Sequence, residues 1–229
     1  KPSNDITMDE IIRLMVGREL TNRFPPKQHD VYDEVVLRVD GLSAMYSNLK
    51  DVSFELKKGE ILGVAGLDGS GRTELLENIF GSATRKDGRI YKNGKEVFNK
   101  SPEESVKNGF AMVTEERRAT GIFNILSVKE NTVIASLKSL KANKFLLSDK
   151  KIRAATNDSI KKLSIKTPSQ ETRIRALSGG NQQKVVFGRW LLTRPDIFLL
   201  DEPTRGIDVG AKYEIYQLII DMAREGDSI

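Results

Sequence analysis

Gly66-Leu67-Asp68-Gly69-Ser70-Gly71-Arg72-Thr73 is the stretch whose reading decides the fold. It follows the short apolar run Glu60–Ala65 and opens a helical pattern carrying Leu75, Leu76, Ile79 and Phe80. A buried strand, a glycine-rich turn and a helix start together make a loop whose backbone N–H groups converge on phosphate oxygens. The pattern G-x-x-x-x-G-K-[ST] is met at every position but one, because Arg72 stands where lysine is expected. N–H groups of Gly69 to Thr73 would face the phosphates, with Gly66, Asp68 and Glu74 flanking them, and the helix dipole favours the negative charge. The Thr73 hydroxyl is placed to ligate Mg²⁺. Lysine is a compact point charge and arginine a larger planar fork, so binding should survive the change better than hydrolysis. The competing reading is a plain glycine-rich turn.

About 130 residues downstream, Phe198-Leu199-Leu200-Asp201-Glu202-Pro203 is an apolar strand ending in two acids, which weighs against the plain turn. At the carboxyl end of a parallel strand both acids face a ligand crevice. Asp201 would hold the Mg²⁺ water shell and Glu202 would polarise an attacking water. A third element is Leu177-Ser178-Gly179-Gly180-Asn181-Gln182-Gln183-Lys184. Ser178 is a good N-cap residue, and the two glycines expose backbone donors at a helix start, a geometry suited to an anion.

The chain has 229 residues, 38% hydrophobic and 30% charged, an ordinary globular composition. It has no cysteine, which excludes disulfides, thiolate metal sites and a cysteine nucleophile. The one histidine, His29, lies in a Pro- and charge-rich stretch, which argues against a serine-hydrolase triad and a zinc site. No uncharged apolar run approaches the roughly 20 residues of a membrane span, and no stretch of this sequence reads as a signal peptide. Within the net charge of +5, residues 138–166 gather nine Lys or Arg against Asp149 and Asp158. That segment reads as a solvated helical surface, with Ile152, Ala155, Ile160 and Leu163 inward, in preference to a nucleic-acid or anionic-lipid patch.

Thr7-Met8-Asp9-Glu10 is a capping box before a helix with Ile11, Leu14 and Met15 on one face. Phe24-Pro25-Pro26 closes that segment, and residues 27–34 are polar and linker-like. Alternating strands are expected at 35–39 and 52–56, a hairpin about Asn93-Gly94, a strand at 110–113, helices over 127–165 and 182–192, and a buried strand at 196–200. Ala211, Ile215, Leu218, Ile219 and Met222 mark a last long helix. Strands alternating with helices argue an α/β sheet. The chain begins at Lys1 and ends in the strand-like Asp227-Ser228-Ile229, and it reads as part of a longer protein.

Ser178-Gly-Gly-Asn-Gln-Gln183 set between the phosphate loop and Asp201-Glu-Pro-Thr-Arg-Gly-Ile-Asp208 resembles the ATP-binding cassette (ABC) ATPases. The resemblance is to the fused double-cassette subunits of bacterial sugar importers and covers essentially the whole chain. It implies a P-loop NTPase fold with a mixed sheet core, an antiparallel β layer and a helical subdomain at about 122–177. Residues 1–26, with Met15–Leu20 and Arg23-Phe24-Pro25, look like the tail of a first cassette, and 35–229 like a second cassette cut short at its end. ATP and Mg²⁺ are the implied cofactors, with Thr73 and Asp201 at the metal and Glu202 catalytic. Leu177 to Gln182 form the signature, Glu115 occupies the place of the Q-loop glutamine, near Mg²⁺ and the membrane partner, and Asp208 falls in the D-loop. Implied partners are the first cassette, membrane-spanning permease subunits and, indirectly, a sugar-binding protein, at the cytoplasmic face of the bacterial inner membrane, with no nucleic acid. Val113–Arg118 and Gly188–Thr193 look most like galactose/methyl-galactoside importer subunits. A binding-only regulatory cassette, an importer of another monosaccharide such as ribose, and a nucleic-acid-acting cassette stand as alternatives. Tyr46 reads as a half-buried loop residue, with adenine stacking the other reading.

Overall fold

The computed structural model describes residues 10, 24–26, 30–143 and 146–229. The expected capping box at Thr7 and the helix after it lie outside the described residues, Glu10 apart. Two sheets organise the described chain. β1 (Val35–Ala44), β2 (Val52–Lys57), β3 (Arg85–Lys92) and β4 (Lys95–Val97) form an antiparallel layer in the order β2-β1-β3-β4. Asn93 and Gly94, both at positive φ, make the tight β3–β4 turn expected of that dipeptide. β5 (Phe110–Val113) and β6 (Ile197–Leu200) pair in parallel, Phe110 opposite Ile197 and Val113 opposite Leu200.

The parallel pair is a continuous apolar run because both of its faces are covered. Phe110, Met112, Ile197 and Leu199 face one core, shared with Leu37, Val39 and Leu42 of β1 and with Leu75, Ile79 and Phe80 of helix α1 (Arg72–Phe80). Ala111, Val113 and Phe198 face the other. That second core takes Val185, Val186 and Phe187 from α5 and Ile215, Ile219 and Met222 from α6, whose ranges follow. A short helix α2 (Pro102–Lys107), N-capped by Ser101, leads into β5.

After β5 the backbone makes a π turn at Arg117–Gly121. Helix α3 (Val128–Val133) opens with a capping box in which Ser127 Oγ accepts from Glu130 N–H at 3.2 Å and Glu130 Oε2 accepts from Ser127 N–H at 2.7 Å. A 3₁₀ stretch, Ile134–Leu140, then helix α4 (Asp149–Lys162), α5 (Gly179–Leu191) and α6 (Val209–Arg224) complete the order. The helical expectation for 127–165 therefore breaks between Leu140 and Asp149, where Lys141 bridges Leu147 and Ala142 N–H donates to Leu146 O at 2.8 Å. On α4, Thr156 and Ser159 are the fully buried positions, while Ile152, Ala155 and Ile160 are half-buried. Lys138, Arg153 and Lys162 stand on the surface paired with Glu103, with Asp149 and Glu171, and with Glu225.

Two further expectations are corrected. Glu60–Ala65 is not a ladder strand: Leu62 N–H donates to Ile229 O and Ile229 N–H to Glu60 O, both at 2.8 Å, and that one exchange is too short to extend the sheet. Ile61 and Val64 are consequently exposed beside an apolar cleft of about 400 Å³ lined by Leu56, Leu62, Leu200, Tyr216 and Ile229. Tyr46 is 90% exposed, so it is not half-buried. Phe24 rests on the Tyr216 ring of α6, centroids 5.3 Å apart.

Candidate functional site

Gly69 and Gly71 have φ of +74° and +94°, conformations that glycine adopts without strain, and they curl the loop back toward the start of α1. The turn is closed by Ser70 N–H on Leu67 O at 3.1 Å. Gly66 passes so close to the Ser70 hydroxyl that a Cβ there would collide with it. Gly71 occupies the N-cap of α1 without any side-chain cap, so the first-turn N–H groups keep the helix's positive end open to an anion. Gly66 through Ser70 are exposed, Asp68 among them.

The acids after β6 meet this loop. Arg72 Nη2 lies 3.3 Å from Glu202 Oε1. Glu202 itself sits at φ +41°, a conformation rare for a residue with a side chain. Asp201 is 5% exposed, its N–H donates to Val113 O at 2.9 Å, and its Oδ2 is buried without a hydrogen-bond partner. Burial raises the Asp201 carboxyl above its ordinary range; the Thr73 hydroxyl pulls it back, and the charges of Glu202 and Glu74 push the same way as burial. Thr73 Oγ1 donates to Glu115 Oε2 at 3.4 Å, and Glu115 is ion-paired with Arg205. The structure thus brings together Arg72, Thr73, Glu115, Asp201 and Glu202.

Leu177 to Gln182 form a second group at the start of α5. Ser178 stands at the N-cap but does not cap through its side chain. Its Oγ instead accepts from Asn181 Nδ2 at 2.9 Å, while Asn181 Oδ1 accepts from Lys166 N–H at 2.7 Å. The capping expectation fails because the amide three residues on competes for the hydroxyl. Gln182 Nε2 donates to Leu177 O at 3.0 Å. A Cβ on Gly180 would collide with Ala211 Cβ of α6, and one on Gly179 would lie 3.1 Å from Arg117 Nη2. Asp208 caps α6, accepting from Ala211 N–H at 2.9 Å.

Arg117 joins the groups, and sequence reasoning missed it. It is buried, its Nε donates to Gln182 Oε1 at 3.2 Å and its Nη1 to Arg205 O at 3.5 Å. Nothing in local sequence marks a pairing across 65 positions. Arg205 was missed too, although a cation two residues past Pro203 was a signal for an acidic partner nearby.

Among the described residues no cluster of three or more His, Cys, Asp or Glu forms a metal cage. The Thr73 hydroxyl, the orphaned buried Asp201 oxygen and Glu115 are nevertheless hard oxygen donors, and they fit Mg²⁺, which takes one or two carboxylates and fills its shell with phosphate and water.

The ABC transporter family model matches residues 49–205. The chain is 56% identical over 98% of its length to the galactose/methyl galactoside import ATP-binding protein MglA of Clostridium tetani, covering 44% of that protein. It is 53% identical over its whole length to the protein of the same name from Vibrio vulnificus, covering 46%. The chain therefore spans about half the length of these curated relatives. Among solved structures, a nucleotide-free ATP-binding cassette of an ABC transporter superposes with a TM-score of 0.71 at 24% identity, over 84% of this chain and 78% of that one. A dimeric cassette in a post-hydrolysis state with ADP and Pi gives 0.68 at 22%, over 83% and 84%. These two share the fold.

Proposed function

Because the chain belongs to the ABC transporter family, we propose that it is an ATP-binding and ATP-hydrolysing cassette that powers a sugar importer, with galactose or methyl galactoside as cargo. The observation that carries the reading is the meeting of Thr73, a buried orphan oxygen on Asp201, and Glu202 at an uncapped, glycine-rich helix start. Gly66 to Glu74 form the phosphate cradle. Thr73, Asp201 and Glu115 would hold Mg²⁺, which would neutralise charge developing on the phosphates. Glu202 orients and polarises the attacking water. Tyr46, exposed ahead of the cradle, offers a face for adenine.

The cargo reading is supported by the names of the relatives, and the division of the chain by its coverage of about half of each. In this reading 1–26 end a first cassette, 27–34 link, and 35–229 belong to a second. Its partners are the first cassette and permease subunits at the cytoplasmic membrane face. Ser178 and Gly180, on their own helix start, complete the first cassette's site, whereas the loop with Arg72 serves a weaker second site. The Arg72–Glu202 contact supports that weakness and also favours the rival reading of a binding-only regulatory cassette, since it engages the carboxylate that would activate water.

Single-turnover hydrolysis by the full-length protein with the other site disabled separates the two readings. Sugar uptake tests the asymmetry. Ser178→Arg puts a bulky cation into the closing interface and should reduce uptake more than Arg72→Ala, because backbone donors supply much of the phosphate contact at the Arg72 loop. Loss of uptake in Arg72→Ala with Ser178→Arg tolerated reverses the assignment of strong and weak sites.

A further inference from the structure

Beside the acids of the phosphate loop stands a cation that nothing above has used. Glu202 at φ +41° and Gly206 at φ +64° fold residues 202–206 into a turn, closed by Arg205 N–H on Glu202 O at 2.9 Å. The turn carries the Arg205 side chain back to Glu115, with which it is ion-paired, and to Glu116 at 3.5 Å. Glu115 is the same carboxylate that accepts from the Thr73 hydroxyl. Asp201, which the Thr73 hydroxyl also reaches, keeps its buried Oδ2 without a partner. Glu115 therefore has two claims on it. One comes from the guanidinium of Arg205, and the other from any cation that settles on the Thr73 hydroxyl.

We propose that Arg205 is a placeholder cation: it neutralises Glu115 until a nucleotide-bound divalent ion arrives, and it competes with that ion for the carboxylate. This rests on the reading of Gly66–Thr73 as a nucleotide loop. The physical argument is elementary. A carboxylate shared between Arg205 and a divalent ion cannot satisfy both fully, and two cations drawn to one acid repel each other. The pair is partly exposed, so Arg205 is held weakly enough to be displaced. A neutral glutamine at position 115 would not need the arginine; a glutamate beside a buried second carboxylate does. Arg205 is thus a positioning residue for the metal, acting through Glu115.

The test measures ATP affinity of the chain in EDTA and in excess Mg²⁺ by equilibrium binding, and takes the ratio as the gain due to the metal. Arg205→Gln should enlarge that gain by roughly three- to fivefold, the scale of a partly exposed ion pair. Arg205→Lys should restore the parent value. Glu115→Gln should shrink the gain and make Arg205→Gln silent when the two are combined. A gain unchanged or reduced in Arg205→Gln overturns the proposal, as does an effect that persists undiminished in the Glu115→Gln background. Parent chain that binds no ATP in either buffer overturns the nucleotide-loop reading and this inference with it; binding with a flat response to Arg205→Gln overturns the inference alone.

Discussion

At the scale of single residues, the contact between Arg72 and Glu202 matters for position rather than for stability. The two side chains are 32% and 40% exposed, and an ion pair in that setting contributes little to folding. Its consequence is that Glu202 is engaged by the Gly66–Thr73 loop itself; under the proposed function, nucleotide arriving at Arg72 would free that carboxylate. Glu202→Gln keeps the backbone of the loop and the size of the side chain and removes the charge that, in the proposed function, polarises water. Single-turnover hydrolysis by the full-length protein with the other site disabled should fall about 100-fold or more, with ATP affinity retained in equilibrium binding. Equal hydrolysis by variant and parent removes Glu202 from the catalytic role. Arg72 and Glu202 were both readable as members of known patterns. Their pairing was not, because a pattern states which residues line a site and not which of them touch before the ligand arrives.

Among the elements, α5 is held by contacts of two kinds. Gly180 lets its first turn approach Ala211 of α6 so closely that a Cβ on it would collide with a carbon fixed to the α6 backbone. Gly180→Ala should therefore destabilise the chain by about 1–3 kcal/mol, the range for overpacked cores, read as a lower urea midpoint. At the other end of the helix, Arg189 is 6% exposed, and burial lowers its guanidinium to about 10. It donates to Asn131 O and to Gly121 O at 2.8 Å each, and to Asn131 Oδ1 at 3.1 Å, tying α5 to α3 and the π turn. Arg189→Leu strands those acceptors, and the unfolding free energy should drop by about 2–4 kcal/mol; an unchanged denaturation curve contradicts it. The period of the strands in the antiparallel layer and the apolar runs at 110–113 and 197–200 were legible because local alternation decides them. The 60–65 run was misread because a strand exists only by virtue of its partners. Arg189 and Arg117 were invisible because a buried arginine looks like a surface one until the carbonyls that receive it are in place.

For the whole molecule, the parallel pair β5–β6 lies between two cores, and the chain returns to it at Ser228, which bridges Ile197. That return places Asp227 beside Asp196 and Glu225, with Lys162 opposite. Burial raises the Asp227 carboxyl from its ordinary 3.8 to about 6, the two neighbouring acids add to the rise, and Lys162 opposes it. The sign follows from linkage. The folded state holds this proton more tightly than the unfolded one, so the contribution to stability is fully present below 3.8 and is lost as pH rises through about 6. Above that window a charged Asp227 opposes folding against two acids and partial burial. Asp227→Asn keeps the shape and has no proton to lose. Its stability relative to the parent should be near zero at the acid end of the window and should grow in the variant's favour up to about pH 6, then level off. Urea denaturation of both proteins across that range gives the difference directly. Raised salt should flatten it, because part of the rise comes from the charges of Glu225 and Asp196. A difference that is constant with pH, or that favours the parent as pH rises, would place Asp227 in an ordinary solvated setting and contradict the packing of 227–229 against β6 from which the prediction is built.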